Sequence, residues 1–345
     1  MWEANALFHL FKVQQGRLEI LKKTALYQTM AESIPAIAQI QRHGLLFDWA
    51  GHEQLTQEWQ SAKDSNLQSE LTPGQLSSRL NTWGKSLTRF RSPRTDRIHP
   101  SFSFNGTVTG RFSCKAPNVQ GAPKEDVRKF FHAPNGYVLI GADYSQLDLR
   151  VAAMLTKDPL MIEAFRSGAD LHRIVAGHMH GVAEDEVTQA QRNTAKKEIY
   201  AVMYGGGTPT VIAILAKAFP VLFTWRANQN KVSAFLKTPS GRLIIRDFFN
   251  DNWSKAVINY PVQSTSADVM FAALGKLPGY LTGLDAKIIN CVHDEILLEA
   301  SEQDAPVAKE ALEKAMVEGF LQVFPDAPIT GLVAAKIGTT WSDLK

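Results

Sequence analysis

The sequence is poor in cysteine and in long apolar runs. It has two cysteines in 345 residues, Cys114 and Cys291, and no CxxC pair, which excludes a disulfide framework and argues against a cysteine-based zinc site. Charged residues interrupt the apolar runs well before the roughly 20 residues that a membrane span requires. The N-terminus lacks the apolar core of an export signal. We therefore expect a cytoplasmic protein without membrane association, with both thiols reduced and inert.

The net charge is small, at +3, but it is unevenly distributed. Between Arg79 and Lys129 there are eleven lysines or arginines against three acidic residues, so this segment carries +8 and the rest of the chain −5. Concentrated basic charge indicates a polyanionic partner such as nucleic acid. A solvated basic loop would produce the same count, and charge alone does not separate the two.

The periodicity of apolar residues predicts an α+β protein. Helical spacing over residues 16–44 predicts a helix that Pro35 kinks or divides and that Gly44 ends. Further regular elements are predicted as a buried strand over 136–143, a helix over 191–204, a hairpin around His293–Asp294 and an amphipathic helix over 304–322. Strand, helices, hairpin and helix in this order are typical of the α+β class.

Two aspartates follow strand-like runs that are distant in the sequence. Asp143 ends GYVLIGAD, and Asp294 lies in the joint of INCVHDEILLEA. If these strands are neighbours in one sheet, the carboxylates meet and the pKa of one of them rises. Mg²⁺ prefers such oxygen ligands, and two ions about 3.5–4 Å apart can activate an attacking oxygen and stabilise a leaving one at phosphorus. A lone Asp at a strand end is otherwise a turn or a helix cap.

The segment RNTAKKEIYAVMYGGG presents one chemically ordered helix face. Arg192, Lys196, Tyr200 and Tyr204 recur every four residues and span about 18 Å at 1.5 Å per residue. A guanidinium, an ammonium and two phenol rings in this order match a nucleoside triphosphate laid along the helix, with the cations at the phosphates. The alternative is a surface stripe with two half-buried tyrosines.

Long polar side chains are concentrated in two further segments. GTVTGRFSCKAPNVQGAP carries Arg111, Asn118 and Gln120, and NYPVQSTSAD carries Asn259 and Gln263. Minor-groove edges of all base pairs carry acceptors at equivalent positions, so these donors can contact a duplex without reading its sequence. An ordinary polar loop is the alternative.

Taken together and in this order, the stretches resemble family A DNA polymerases, the group of bacterial DNA polymerase I and related phage replicative enzymes. TGRFS…PNVQ resembles the primer-strand loop of the family, ADYSQLDLR its motif A and RNTAKKEIYAVMYG its motif B. INYPVQSTSAD precedes CVHDE, which resembles motif C. The resemblance runs from about Glu19 to the C-terminal TTWSDLK. It implies a right-hand fold with an antiparallel-sheet palm, helical fingers and a reduced helical thumb.

The resemblance also implies a division of the chain. The implied segments are a remnant of an exonuclease-domain tail over 1–20, a reduced thumb and connector over 21–100, the first part of the palm over 101–170, the fingers over 171–254 and the second part of the palm over 255–345. A reduced thumb would make fewer phosphate contacts, so we expect low processivity and binding that weakens steeply with salt. Without the acidic cluster of a nuclease domain, we expect no proofreading.

Residue roles follow from the same resemblance. Asp143 and Asp294, with the backbone carbonyl of Tyr144, would hold two Mg²⁺ ions, for which Mn²⁺ can substitute, and Glu295 would support them. Lys196 would protonate the leaving pyrophosphate. The implied nucleotide-binding residues are Arg192, Lys196, Tyr200, Tyr204, Gln146, Asp148 and His172. The implied DNA contacts are Arg111, Asn118, Gln120, Lys255, Asn259, Gln263 and His293.

The resulting hypothesis is a monomeric, template-directed DNA polymerase that acts on primer–template DNA and dNTPs and releases pyrophosphate. Three alternatives remain: a single-subunit RNA polymerase-like palm enzyme, a catalytically silent DNA-binding accessory, and a two-metal nuclease. The chain also departs from the family pattern. Asp148 stands in place of the usual Glu, Tyr200 where many bacterial members have Phe, Lys255 in place of Arg and Ser264 in place of Gly.

Overall fold

Helices surround a four-stranded antiparallel sheet in this protein. A computed structural model describes residues 24–65, 70–104, 106–229, 235–245 and 253–344. The helices are α1 (Thr24–Glu32), α2 (Ile34–His43), α3 (Trp49–Asp64), α4 (Pro73–Trp83), α5 (Leu147–Thr156), α6 (Pro159–Ser167), α7 (Leu171–His180), α8 (Gln189–Met203), α9 (Pro209–Ala218), α10 (Pro220–Gln229), α11 (Trp253–Tyr280) and α12 (Ala305–Val323). The strands are β1 (Leu45–Leu46), β2 (Arg97–Ile98), β3 (Ser101–Ser103), β4 (Ser113–Lys115), β5 (Tyr137–Tyr144), β6 (Phe235–Lys237), β7 (Leu243–Ile245), β8 (Ala286–Val292), β9 (Glu295–Ser301) and β10 (Val333–Gly338).

The central sheet has the strand order β10-β5-β9-β8, and each neighbouring pair is antiparallel. Its two faces differ because successive side chains of a strand alternate. On one face, Tyr144 is buried and its hydroxyl donates to the Met316 carbonyl of α12 at 2.6 Å. Asp143, one residue earlier, points to the opposite face and is exposed. At this end of β5, one face of the sheet therefore packs against α12, and the other exposes a carboxylate.

The core is closed by α11 and α12, which pack against each other behind the sheet. The buried residues Leu312, Met316 and Phe320 of α12 recur at four-residue spacing and form one apolar stripe. Burial of each such side chain stabilises the fold by about 1.5–3 kcal/mol. At Gly319 the helices approach so closely that a Cβ would lie 2.6 Å from the Ala273 nitrogen, so any larger residue would push them apart.

The predicted division of the first helix is confirmed. α1 and α2 are separated at Ser33, and Pro35 lies in the first turn of α2, where the missing N–H is harmless. Gly44 ends α2 with a φ of 70°, and a Cβ there would lie 2.6 Å from the Ile98 carbonyl oxygen. The part of the prediction that covers 16–23, and the segment 1–20, lie outside the described residues.

Several elements were not predicted. The short hairpin β6–β7 and the edge strand β10 have too few residues in alternation to stand out, and α11 continues through Pro261 and Pro278. In its polar run, hydroxyls bond to carbonyls of the same helix, as Thr265 Oγ1 does to the Pro261 carbonyl at 2.7 Å. Of the described helices, none has the length and apolarity to cross a membrane.

Candidate active site

The two aspartates of the paired strands meet at one cavity. In the β5–β9 register Asp143 lies opposite Glu295, and Asp294 immediately precedes β9. The Tyr144 amide at the end of β5 donates to the Asp294 carbonyl at 3.2 Å. Both carboxylates line a cavity of about 350 Å³. The structure thus brings together two residues that are far apart in the sequence.

Electrostatics at this cavity disfavour two ionised carboxylates. Burial, and then the negative charges of Asp143 and Asp148, raise the pKa of Asp294 to about 8. The turn that presents Asp294 is itself strained, because His293 has a φ of +57°, which is uncommon for a residue with a Cβ. Such conformations persist only where the surrounding structure enforces them. Here the paired strands β8 and β9 flank the two-residue turn directly and hold it in place.

The donor set fits a magnesium ion that shares its ligands with a substrate. Within the described ranges there is no group of three or more His, Cys, Asp or Glu arranged to hold a metal. Mg²⁺ in phosphoryl-transfer sites is usually held by one or two carboxylates, and water and substrate phosphates complete its coordination. Asp143 and Asp294 supply that number, and their mutual repulsion is what a divalent cation would relieve.

Glu295 is committed to protein donors. Its Oε2 accepts from Arg128 Nη1 at 3.0 Å and its Oε1 from Trp341 Nε1 at 2.9 Å. The Arg128 guanidinium also lies 3.9 Å from the centre of the Trp341 ring. Because both carboxylate oxygens are engaged, Glu295 anchors the start of β9 beside Asp294. Each of its carboxylate oxygens thus already has a protein donor.

The two tyrosines at the C-terminal end of the predicted polar face of α8 lie near the acidic residues. A capping box of Thr188 and Gln191 starts the helix, and one apolar face is buried in the core. The opposite face carries Tyr200, whose ring centre lies 6.0 Å from that of Tyr204. Burial and the charges of Asp148, Asp294 and Asp143 raise the pKa of Tyr200, which places this face within electrostatic reach of all three acids.

An aspartate that the sequence analysis missed holds the first cation of this face. Asp170 caps α7 through Oδ1, which accepts from the amides of His172 and Arg173, and its Oδ2 accepts from Arg192 Nε at 2.5 Å. Burial opposes ionisation of Asp170, but Arg192 and the two amides outweigh it and lower the pKa. An Asp directly before a helical apolar pattern is an N-cap signal, so the N-cap role of Asp170 could have been predicted. Its pairing with Arg192 could not, because no local pattern indicates it.

His172 lies buried beside these cations. Its side chain is 2% exposed, and its pKa is lowered to about 4, mainly by burial. The charge of Asp170 raises this pKa, whereas the charges of Arg192 and Lys196 lower it. Buried side-chain atoms without a hydrogen-bond partner in the described structure include Nδ1 of His172, Oε1 of Gln146 and Oδ1 of Asn259. Such atoms are rare in native proteins, and here three predicted ligand-binding residues contribute one each.

Comparison of the sequence with known proteins identifies the family of this chain. The sequence matches the family model of DNA polymerase family A over residues 20–218 and 228–343. This chain belongs to DNA polymerase family A. The predicted family is thereby confirmed.

Individual relatives agree with the family match. DNA polymerase I of Aquifex aeolicus is 31% identical over 271 residues, which are 72% of this chain and 47% of that protein. The thermostable DNA polymerase I of Thermus thermophilus is 32% identical over 274 residues, which are 70% of this chain and 33% of that protein. The family A chain therefore spans between about a third and a half of the length of these curated relatives.

The predicted fold is confirmed by a solved structure. The POL domain of Pol1 from M. smegmatis, in complex with DNA primer-template and dNTP, superposes with a TM-score of 0.84 at 23% identity. The match covers 99% of this chain and 75% of that one. The α+β right-hand polymerase fold expected from the sequence is the fold of this family A chain.

In this family A chain, Asp148 connects four parts of the molecule. Its Oδ1 accepts from Arg111 Nη2 at 2.9 Å and from Ser266 Oγ at 2.7 Å, and its Oδ2 accepts from the Tyr204 hydroxyl at 2.9 Å. The loop before β4, the helices α5 and α11 and the C-terminal end of α8 meet there. The sequence analysis missed Ser266, because no local pattern marks a serine for a partner 118 residues away.

The predicted DNA contacts of the family A chain divide into two groups. Arg111, Gln120 and His293 line one small crevice, and Gln120 Nε2 donates to the Cys291 carbonyl at 3.2 Å. Burial and then the charge of Arg111 lower the pKa of His293, and more distant cations add to the effect. Asn118 precedes the 3₁₀ turn Val119–Gly121 and does not line the crevice.

The second group lies on α11. Asn259 and Gln263 are partly buried on this helix, and Lys255 is exposed near its start. Gly205, just after α8, approaches so closely that a Cβ there would lie 2.9 Å from the Lys255 Cα. Because only glycine permits this contact at a φ of +81°, the start of α11 and the end of α8 are held side by side.

Proposed function

We propose that this chain is a template-directed DNA polymerase that adds deoxynucleotides to a primer 3′-OH and releases pyrophosphate. One observation carries the proposal: the paired carboxylates Asp143 and Asp294 share a cavity. The C-terminal end of α8 lies near these acids, since the Tyr204 hydroxyl donates to Asp148 at 2.9 Å and the charges of Asp148, Asp294 and Asp143 help to raise the pKa of Tyr200. A cationic helix beside paired carboxylates suits a triphosphate substrate. The family membership favours this activity over the RNA polymerase-like, accessory and nuclease alternatives.

The triphosphate would bind along α8. Arg192 is held through Nε by Asp170. Among the described residues no hydrogen bond to its two terminal nitrogens is found, and such nitrogens suit bidentate contact with phosphate oxygens. Lys196, one turn later and exposed, would bind the same group. As the leaving pyrophosphate separates, the Lys196 ammonium can donate a proton to it. Neutral His172 would donate its one ring N–H to a phosphate oxygen without adding charge.

Asp143 and Asp294, with the Tyr144 carbonyl, are the groups that would hold Mg²⁺ or Mn²⁺. When bound, the divalent cations activate the primer hydroxyl and stabilise charge on the leaving oxygen. Glu295 keeps Asp294 in place through its bonds to Arg128 and Trp341.

The sugar and base of the incoming nucleotide would lie near Asp148, Tyr200 and Tyr204. Gln146 lines the same end of α5, where it has left-handed backbone geometry. The duplex would be contacted by Arg111, Gln120 and His293 from one side. Asn118, Lys255, Asn259 and Gln263 complete the proposed set.

We also propose a division into subdomains. Residues 101–170 and 255–345 would form the palm, since β5 comes from the first and β8, β9 and β10 from the second. Residues 171–254 would form the fingers, and 21–100 the thumb and connector. The Pol1 POL domain was solved with DNA primer-template and dNTP, which supports the same partners for this chain.

A primer-extension assay tests the function. The wild-type chain should extend an annealed primer with four dNTPs and a divalent cation, and Asp294→Ala should lower the rate by at least about 10³-fold, the order lost when an essential electrostatic group is removed. Asp326→Ala, at an exposed position, is the control. Extension with rNTPs but not dNTPs would favour the RNA polymerase-like alternative, and cleavage without extension would favour a nuclease.

A further inference from the structure

The cavity that holds the carboxylates has a second cationic wall. Lys124 and Lys336 line it together with Asp143 and Asp294. Among the described residues that line the cavity, none belongs to α8. Positive charge therefore occurs in two separate places, along α8 and in the lining of the cavity that holds the carboxylates.

The strand register fixes where Lys336 lies. In the β10–β5 pair, Ala334 is opposite Asp143 and Lys336 is opposite Gly141. Residues two apart on a strand share a face, so Lys336 is on the same face as Asp143, as its diagonal neighbour. Diagonal positions of this kind are about 7–8 Å apart, within reach of a long side chain. Gly141 adds no side chain that would separate the two.

The two lysines are not committed to a protein partner. Arg128, the third cation of this wall, is paired with Glu295 at 3.0 Å. Lys124 and Lys336 are both exposed, and within the described part of the chain neither ammonium forms an ion pair with an acidic side chain. Both ammonium groups are therefore available to a ligand.

We propose that Lys124 and Lys336 form a phosphate subsite for the 3′-terminal phosphodiester of the primer strand. The inference rests on the proposed function. If the triphosphate lies on α8, the primer hydroxyl must reach the α-phosphorus from the side opposite the leaving pyrophosphate, because attack and departure at phosphorus are roughly in line. The last primer phosphate then lies near the carboxylate cavity but cannot use the cations of α8, which hold the triphosphate. Lys124 and Lys336, in the lining of that cavity, are the cations left to pair with it.

The test pairs a change in the protein with a change in the DNA. Primer–template binding is measured by fluorescence anisotropy for the wild type, Lys336→Ala, Lys124→Ala and the double variant, with a primer whose last linkage is either a phosphodiester or a neutral methylphosphonate. The double variant should bind the ordinary primer roughly 10-fold more weakly, and the loss of this one phosphate contact should reduce the salt slope by about 0.9. The neutral linkage should weaken wild-type binding but leave the double variant almost unchanged.

The control is Lys309→Ala, because Lys309 lies on α12, behind the other face of the sheet. This variant should bind both primers as the wild type does. The KM for dNTP should change less than about twofold in the lysine variants, since they leave α8 intact. Melting temperatures equal to that of the wild type show that these exposed substitutions have not disturbed the fold.

Two results would overturn the inference. If the neutral linkage weakens the wild type and the double variant equally, the lysines do not contact that phosphate. If primer affinity is unchanged but pyrophosphorolysis slows, the wall binds pyrophosphate instead. Failure of the proposed function would be seen separately. A wild-type chain that binds primer–template but extends no primer would contradict the proposed polymerase activity. The binding measurements would still show whether the lysines contact the phosphate.

Discussion

Replacement of Asp294 by Asn should stabilise this protein when no divalent cation is bound. The pKa of Asp294 is raised to about 8 by burial and by the charges of Asp143 and Asp148. A carboxyl whose pKa is raised in the folded state contributes stability that is complete below its unfolded pKa, about 4, and is lost as the pH rises through the folded value. Asn cannot ionise, so the variant does not lose this stability as the pH rises. The free energy of unfolding of Asp294→Asn, relative to that of the wild type, should therefore increase from about pH 4 to about pH 8 and then level off.

The size of the effect follows from the difference between the unfolded and folded pKa of Asp294. Each pH unit between the unfolded and folded pKa corresponds to about 1.4 kcal/mol, which sets a ceiling near 6 kcal/mol. Asp294 is partly exposed, and screening by water reduces the interaction. We expect the free energy of unfolding of Asp294→Asn to exceed that of the wild type by about 2–3 kcal/mol at pH 8, or roughly 5 °C in Tm.

Urea unfolding in EDTA between pH 5 and pH 9 measures this difference, with the exposed Asp326→Asn as the matched control. Addition of Mg²⁺ should raise the stability of the wild type by RT ln(1 + [Mg²⁺]/Kd), and that of Asp294→Asn by less. If Asp294→Asn is no more stable than the wild type at pH 8 in EDTA, or if its advantage is the same at pH 5, the two carboxylates do not share one site.

Three further predictions concern the nucleotide. Asp148→Glu should raise dNTP-over-rNTP selectivity, because one methylene more closes the floor beneath the sugar; equal kcat/KM ratios in the two enzymes would refute this. Tyr200→Phe should reduce incorporation of dideoxynucleotides, because the tyrosine hydroxyl can replace the hydrogen bond that a missing 3′-OH cannot make; unchanged chain termination on a primed template would contradict it. Asp170→Asn keeps an N-cap for α7 but loses the ion pair with Arg192, so the KM for dNTP should rise roughly 10-fold with little change in Tm; an unchanged KM would show that Arg192 needs no orienting partner.

Much of the site could be predicted because its signals are local. Short continuous apolar runs predicted β5 and the β8–β9 hairpin, and the four-residue spacing predicted α8 together with the order of its polar side chains. Each of these patterns depends on neighbours within a few residues along the chain, where the geometry of strand and helix is nearly invariant. The positions of Asp143 and Asp294 at strand ends followed from the same patterns.

The edge strand, the small hairpin and the long helix were missed for the opposite reason. β10 becomes a strand through its pairing with β5, and α11 remains helical through Pro261 because its surroundings bury most of its length. Tertiary packing overrides weak local preference in such segments.

The sequence alone determined which chemical groups each segment carries: acids after two strands, cations and rings along one helix, and long polar donors in the loops. Only the tertiary structure decided which of these groups meet. Arg192 with Asp170, Ser266 with Asp148 and Arg128 with Glu295 are pairs separated by 22, 118 and 167 residues. Such contacts depend on sheet register and helix packing, which the whole chain sets together, so no short stretch of sequence contains them.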